Sequence, residues 1–122
     1  MSGANSPAEN SMKFEDRTEG KVLVVKILES RIVADIAPQF KETMVSYIAK
    51  GNPVIVLDLS EVKFIDSTGL GALVGSLKAM GDKDELVLAG AKDSVSNMLK
   101  LTRMDKVFRM FPTAEDATST LS

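Results

Sequence analysis

Apolar residues gather in short continuous runs at several points along the chain. The clearest run covers residues 54–57, reads Val-Ile-Val-Leu and is bounded by turn residues on both sides. A run of this length without polar interruption is typical of a central strand that is buried on both faces. Apolar runs and alternation together predict strands over residues 12–17, 22–28, 54–57, 85–89 and 107–111.

Between these runs, apolar positions recur every three or four residues, which indicates amphipathic helices. Pro38 suits the first turn of a helix because its fixed φ matches the helical value and its missing N–H is not needed there. We expect that helix to end near Lys50, where Gly, Asn and Pro follow in succession. The same spacing predicts a second helix over residues 67–80.

Two further helices are predicted from their N-terminal capping residues. Asp93 or Ser94 is expected to cap the third helix, and residues 113–116 resemble a capping box that opens the fourth. The order of elements predicts an α/β fold with a mixed sheet of four to five strands and about four helices. We expect a single domain over residues 12–122 and a disordered leader over residues 1–11, which are polar and contain Gly, Pro, Asn and Ser.

The predicted helix over residues 67–80 has two unlike faces. Its large apolar residues gather on one side of a helical wheel, which we expect to face the core. These residues are Leu70, Leu73, Val74, Leu77 and Met80. We call the opposite side the small-residue face, and it consists of Thr68, Gly71, Ala72, Gly75 and Ala79.

The lack of long polar side chains on the small-residue face requires an explanation. A solvent-exposed helix face normally carries Lys, Glu, Gln or Arg, and each interior glycine costs about 1 kcal/mol relative to alanine. One explanation is that this face packs closely against another element of the same fold. The other is that it is left flat for a partner protein. The sequence favours a partner surface, because the large apolar face already supplies the contact with the core.

Ser67 stands at the predicted start of this helix, between Asp66 and Thr68. One interpretation is an N-cap, whose hydroxyl accepts a hydrogen bond from the first turn and contributes about 1 kcal/mol. The other is a phosphorylation site. A phosphate at this position would meet free backbone N–H groups and the positive end of the helix dipole, so the domain could carry it without unfolding. Such a modification would change the charge beside the small-residue face.

Composition narrows the possible functions. The 122 residues are 44% hydrophobic and 26% charged, and the formal net charge of −2 gives no electrostatic footprint for nucleic acid. The chain has no Cys and no His, which excludes Ser-His-Asp and Cys-His catalysis and thiolate or imidazole metal sites. No apolar run approaches the ~20 residues of a membrane span. We therefore expect a soluble intracellular protein that acts through a surface, a hydroxyl or a carboxylate.

One motif carries a resemblance to a known family. Residues 66–71 read Asp-Ser-Thr-Gly-Leu-Gly and follow the segments Val-Leu-Asp-Leu-Ser at 56–60 and Phe-Ile at 64–65. This arrangement resembles the signature of STAS domains and is most similar to that of bacterial anti-sigma factor antagonists. The layout of the segments around residues 37–38, 99–108 and 113–117 is also similar to the family's, so the resemblance spans about residues 12–118.

The resemblance implies a STAS-like fold and a partner switch. In that family the unphosphorylated antagonist binds a serine-kinase anti-sigma factor and frees the sigma factor. The kinase phosphorylates a motif serine, here Ser67, and a metal-dependent serine phosphatase restores the binding form. Asp66, Thr68 and the small-residue face would lie in the partner footprint. The chain would then be a cytoplasmic substrate with no catalytic residue and no cofactor, and a monomer, since a symmetric dimer through that face would block the site.

The chain departs from the family pattern at the end of its second strand. The family often has Gly-x-Leu-Asp there, whereas residues 30–33 read Ser-Arg-Ile-Val, so Val33 replaces the acidic residue that usually borders the phosphoserine. Asp35 lies nearby but is out of register. Arg31 is a candidate to pair with a phosphate at the site instead.

Two other interpretations remain open. The glycine spacing of residues 69–75 is similar to a dinucleotide-binding motif, but its third glycine is one residue late and Asp-Ser-Thr replaces the Gly-rich turn. Asp58, Glu61 and Asp66 are close in sequence and could suggest Mg²⁺, although loop carboxylates are more often solvated. The other interpretation is a STAS adaptor or regulatory subunit of another signalling, secretion or transport complex, without phosphorylation or a sigma factor output.

Overall fold

The structure of the protein, a computed structural model, describes residues 12–122. Its strands lie within two separate sheets and its helices flank the larger one. The strands are β1 (Phe14–Glu19), β2 (Val22–Ile27), β3 (Arg31–Ile32), β4 (Val54–Asp58), β5 (Phe64–Ile65), β6 (Glu85–Ala89) and β7 (Met110–Phe111). The helices are α1 (Ala37–Ala49), α2 (Ser67–Ala79), α3 (Asp93–Leu101) and α4 (Ala114–Leu121), with a 3-10 turn at Met104–Lys106.

Five strands form a mixed sheet in the order β1-β2-β4-β6-β7. β1 is antiparallel to β2, and the other neighbours are parallel, as expected for strands joined by helical crossovers. The remaining strands, β3 and β5, form a separate two-residue parallel ladder. This architecture confirms the predicted α/β fold with a mixed sheet and four helices.

The sheet buries both of its faces. Because side chains alternate along a strand, Leu23 and Val25 of β2 point into the larger apolar cluster, whereas Val22 and Val24 point into the smaller one. The larger cluster includes buried residues of α1, α2 and α3, and the smaller one is covered by Ala114 and Ala117 of α4. This is why the central strands appear in the sequence as continuous apolar runs.

The predicted capping residues are correct at one helix and wrong at another. Thr113 is the N-cap of α4, and its hydroxyl accepts from the Asp116 N–H at 3.0 Å, as the capping-box pattern indicates. The N-cap of α3 is Lys92, which makes no side-chain capping bond, so neither Asp93 nor Ser94 has the expected role. Asp93 instead adopts a φ of +44°, a left-handed value that local sequence patterns do not reveal.

Two other differences concern the extent of the described elements. The β3–β5 ladder was not predicted, because two-residue strands are too short to show a period. The last strand covers Met110–Phe111 only. It starts later than predicted because a 3-10 turn at Met104–Lys106 precedes it. The predicted leader over residues 1–11 lies outside the described residues.

Among the helices of residues 12–122, none has the length and apolar character needed to cross a bilayer.

Candidate functional site

Asp66 fixes the start of helix α2. It is the N-cap residue, and one of its carboxylate oxygens accepts from the Gly69 N–H at 2.8 Å. The other oxygen accepts from the Ala34 N–H at 3.3 Å, in the segment that leads from β3 into α1. Asp66 therefore joins two segments that are far apart in sequence, which gives it a structural role beside any role in partner binding.

Ser67 is not the N-cap, because Asp66 occupies that position. It is the first residue of α2 and is exposed, and its hydroxyl makes no hydrogen bond to another residue of the described range. Thr68 is also exposed. Because Asp66 supplies the cap, the helix start does not depend on the Ser67 hydroxyl, and Ser67 is exposed to solvent.

Gly69 lies against the backbone of the β3–β5 ladder. A Cβ at this position would collide with the carbonyl oxygen of Ile32 and would lie 3.0 Å from its carbonyl carbon. The Asp66 N–H also donates to that oxygen, at 3.3 Å. The glycine at position 69 thus allows the first turn of α2 to approach β3 closely, and the ladder positions Ser67 at the surface.

The small-residue face is partly exposed and partly packed. Gly71 is exposed and has open space around its Cα, and Ala79 is exposed as well. Ala72 is only 9% exposed and belongs to the core, so its expected place on the surface is wrong. Gly75 is half-buried beneath the side chain of Lys41 from α1. Internal packing therefore explains the small residues at positions 72 and 75, whereas Gly71 and Ala79 are exposed and have no such explanation.

The buried side of α2 is rotated relative to the predicted one. Its buried residues are Gly69, Ala72, Leu73 and Ser76, whereas Leu70, Val74, Leu77 and Met80 are half-buried and pack at the edge of the core. The reason is that α2 packs against α1 as well as against β5, and close approach of two helices favours small residues. Ser76 is accommodated in the interior because its hydroxyl donates to the Ala72 carbonyl at 2.8 Å.

Lys41 is the residue of this region that the sequence pattern did not single out. Its side chain crosses from α1 to α2 and lies over the backbone of Gly75. A pattern within α1 shows only that Lys41 is on the polar side of that helix. The pairing of the two helices, which brings the lysine onto the small-residue face, is not visible in either segment alone.

The β3–β5 ladder places Arg31 and Phe64 opposite each other next to the site. The Arg31 guanidinium lies 5.5 Å from the centroid of the Phe64 ring, in a cation–π arrangement, and the ring is 41% exposed. Val33, which stands where the family's acidic residue is expected, is half-buried. This border of the site therefore carries a cation and an exposed aromatic ring.

The three acids considered for Mg²⁺ have separate roles. Asp58 is buried, with 7% exposure, and accepts from the Ser60 N–H at 2.9 Å. Glu61 lies 3.9 Å from the Lys26 ammonium, and Asp66 is the N-cap of α2. Within residues 12–122 there is no group of three or more metal-binding side chains that could hold an ion.

Comparisons with known proteins agree with this geometry. The family model of the STAS domain matches residues 13–117. The anti-sigma-B factor antagonist of Listeria monocytogenes is 36% identical over 80 residues, which are 65% of this chain and 70% of that protein. The anti-sigma-B factor antagonist of Staphylococcus aureus is 31% identical over 93 residues, covering 75% and 85% of the two chains.

A solved structure of similar shape belongs to the same group. An anti-sigma factor antagonist from Mycobacterium paratuberculosis superposes with a TM-score of 0.83 at 26% identity, and the match covers 93% of this chain and 97% of that one. Sequence motif, fold and relatives thus lead to one assignment. The chain belongs to the STAS domain family and is related to the anti-sigma factor antagonists.

Proposed function

We propose that this protein is an anti-sigma factor antagonist controlled by phosphorylation of Ser67. In the unphosphorylated form it binds a serine-kinase anti-sigma factor, and in the phosphorylated form it releases it. The observation that carries the proposal is the setting of Ser67, an exposed residue at the start of α2 whose hydroxyl makes no hydrogen bond within residues 12–122. The relatives named above, which are anti-sigma-B factor antagonists, support the same function.

A phosphate on Ser67 is compatible with the fold. The first N–H groups of a helix have no carbonyl partner within the helix. In α2 the Asp66 carboxylate accepts a hydrogen bond from one of them, the Gly69 N–H. The positive end of the helix dipole stabilises an anion placed there. The Asp66 carboxylate is close by and repels the phosphate, which opposes part of this stabilisation. Phosphorylation therefore alters the surface and leaves the domain folded.

The same phosphate is incompatible with a covering partner. It adds about −1.5 to −2 charges at pH 7, together with the volume of three oxygens. A protein packed on this surface would have to remove water from that charge, which is costly in an interface. Binding and phosphorylation of Ser67 thus exclude each other, which is the physical basis of the switch.

The partner footprint comprises the exposed and half-buried groups around Ser67. It includes Asp66, Thr68, Gly71, Gly75 and Ala79. Ala72 lies beneath this surface and supports it from the core. The chain acts as the substrate of its kinase and of a serine phosphatase, with no catalytic residue of its own. We place this cycle in the cytoplasm and expect the antagonist to act as a monomer.

The proposal is tested by capturing partners from a lysate of the source organism. Wild-type protein, Ser67→Ala, Ser67→Asp and the matched control Thr68→Ala are used as baits, and bound proteins are identified by mass spectrometry. We expect an anti-sigma factor kinase with wild type and Ser67→Ala and none with Ser67→Asp, whereas Thr68→Ala serves to identify which hydroxyl is modified. The captured kinase should then transfer phosphate to wild type and Thr68→Ala, but not to Ser67→Ala.

Two results would contradict the proposal. If all four baits retain the same partner, the domain binds constitutively and acts as an adaptor without this switch. If the kinase modifies Ser67→Ala but not Thr68→Ala, the phosphorylated residue is Thr68. Intact-protein mass after incubation with the kinase and ATP distinguishes these cases.

A further inference from the structure

Lys41 lies flat across helix α2 at the level of Gly75. Its Cε and Nζ atoms are 3.0 and 3.1 Å from the point that a Cβ of residue 75 would occupy. The lysine can take this path because residue 75 has no side chain. Its ammonium is therefore held over the middle of the proposed partner footprint, although Lys41 belongs to α1.

The Lys41 ammonium has no acidic partner within the described part of the chain. The ion pairs found there, with N···O distances of 4.0 Å or less, join Arg17 to Glu19, Lys26 to Glu61 and Arg109 to Glu85. Glu42 follows Lys41 in sequence but does not approach its ammonium within that distance. In the free protein, water solvates this charge.

The surface beside Lys41 is apolar. A shallow hollow of about 370 Å³ is lined by Pro38, Lys41, Glu42 and Val45, and Val45 is 39% exposed. All four lining residues belong to α1, and the end of the Lys41 side chain reaches from there to Gly75 of α2. A partner that covers α2 at Gly75 also covers the lysine, and it removes water from the ammonium.

A cation that is desolvated without a counter-charge is expensive, whereas a matched carboxylate offsets the cost and fixes the register of the two proteins. We propose that Lys41 is a specificity-determining residue of this surface, and that it selects an anti-sigma factor that presents an Asp or Glu side chain opposite Gly75. This proposal rests on the proposed function, because it assigns a contact within the same footprint. It adds α1 to the proposed interface and assigns a negative charge to the part of the anti-sigma factor that faces Gly75.

The test uses the full-length protein and the purified anti-sigma factor identified by the capture experiment. Association and dissociation rates are measured for wild type, Lys41→Met and Lys41→Glu at ionic strengths of about 0.05 M and about 0.5 M, a range over which surface charges become screened. Lys50→Met is the matched control. It also removes one positive charge near α1, but its ammonium lies over the Tyr47 ring, 5.6 Å from the centroid.

We expect Lys41→Met to weaken binding about tenfold and Lys41→Glu to weaken it further, with most of the salt dependence lost in Lys41→Met. Lys50→Met should bind as wild type does. Thermal unfolding midpoints of all four proteins are compared first. The methionine keeps the packing of the lysine stem, so its effect on binding does not depend on a loss of folding.

The proposal about Lys41 is overturned if Lys41→Met binds with wild-type affinity and salt dependence, or if Lys50→Met weakens binding equally. In those cases the proposed switch is still supported when Ser67→Asp fails to bind. If Ser67→Asp binds as well as wild type, the proposed function fails by itself, whatever the result for Lys41. Lys41→Met therefore tests the proposal about Lys41, and Ser67→Asp tests the proposed function.

Discussion

The α-carbon of Gly69 faces the backbone carbonyl of Ile32 so closely that no side chain fits between them. This contact joins the first turn of α2 to the two-residue strand β3. Two residues further along the helix, Gly71 has open space where its side chain would be. A glycine is therefore required by packing at position 69 but not at position 71. The effect of alanine at each position on the free energy of unfolding measures this difference.

Replacing Gly69 by alanine should destabilise the domain. The new Cβ meets a backbone atom, which cannot rotate away, so the first turn of α2 or the β3–β5 ladder must shift. Overpacking of this kind costs about 1–3 kcal/mol. Urea unfolding followed by circular dichroism measures the loss, and the control is Gly71→Ala.

Gly71→Ala should stabilise the domain by about 0.5–1 kcal/mol, because alanine is the better helix former and nothing within 4 Å opposes its Cβ. Equal effects of the two substitutions would show that the contact with Ile32 does not constrain the helix.

Replacing Asp66 by alanine should lower the free energy of unfolding by about 1–2 kcal/mol, through loss of the N-cap. Asp66→Asn should cost less, because its amide oxygen can still accept from the Gly69 N–H. The same unfolding experiment, carried out on both variants, measures the difference. If the asparagine variant is as unstable as the alanine variant, the capping bond is not the source of stability.

Gly75→Glu should leave the domain folded and prevent partner binding. A side chain at residue 75 meets only the flexible end of Lys41, which can move aside and pair with the new carboxylate. A melting temperature close to that of wild type is expected, together with no measurable binding to the anti-sigma factor. Gly75→Ala, which adds only a methyl group and displaces the end of Lys41 slightly, is the comparison for size and should weaken binding less than Gly75→Glu. Unfolding of the glutamate variant would show that this position serves internal packing.

Tyr47 gives a prediction about alkaline pH. Its hydroxyl donates a hydrogen bond to Asp16 on β1, and burial, followed by that bond and the charge of Asp16, raises the pKa of Tyr47 well above its usual value of about 10. The folded state thus binds this proton more tightly than the unfolded state. Its contribution to stability is complete below pH ~10 and is lost as the pH rises beyond that value.

The measurement for Tyr47 is direct, because it is the single tyrosine of a chain without tryptophan. The absorbance of tyrosinate should develop at higher pH in the folded protein than in urea. Tyr47→Phe, compared by unfolding at neutral and alkaline pH, should lose less stability than wild type as the pH increases. A normal titration of the folded protein would contradict the burial and hydrogen bonding of this hydroxyl.

Much of the fold follows from local patterns. The Val-Ile-Val-Leu run became β4 because a strand covered on both faces needs no polar position. Pro38 lies in the first turn of α1, and Thr113 caps α4, as their backbone preferences indicate. In each case the deciding interaction lies within a few residues of the pattern.

The candidate site was less predictable because its interactions join distant segments. Ala72 has a small apolar side chain that suits a surface or a helix contact, and only the neighbouring α1 decides in favour of burial. The N-cap role of Asp66 is favoured by a bond to Ala34, 32 residues away. Lys41 reaches the site from another helix. Sequence identified the motif that contains Ser67, whereas the tertiary structure decides which of its neighbours are accessible.

The open space at Gly71 has a consequence for how this family diverges. Substitution of Gly69 destabilises the fold through its contact with Ile32, so selection for stability favours a glycine there. Gly71 carries no such constraint, and random drift would replace it with residues that favour a helix. A glycine retained at position 71 over long evolutionary times would therefore record selection by a binding partner, independently of selection for folding.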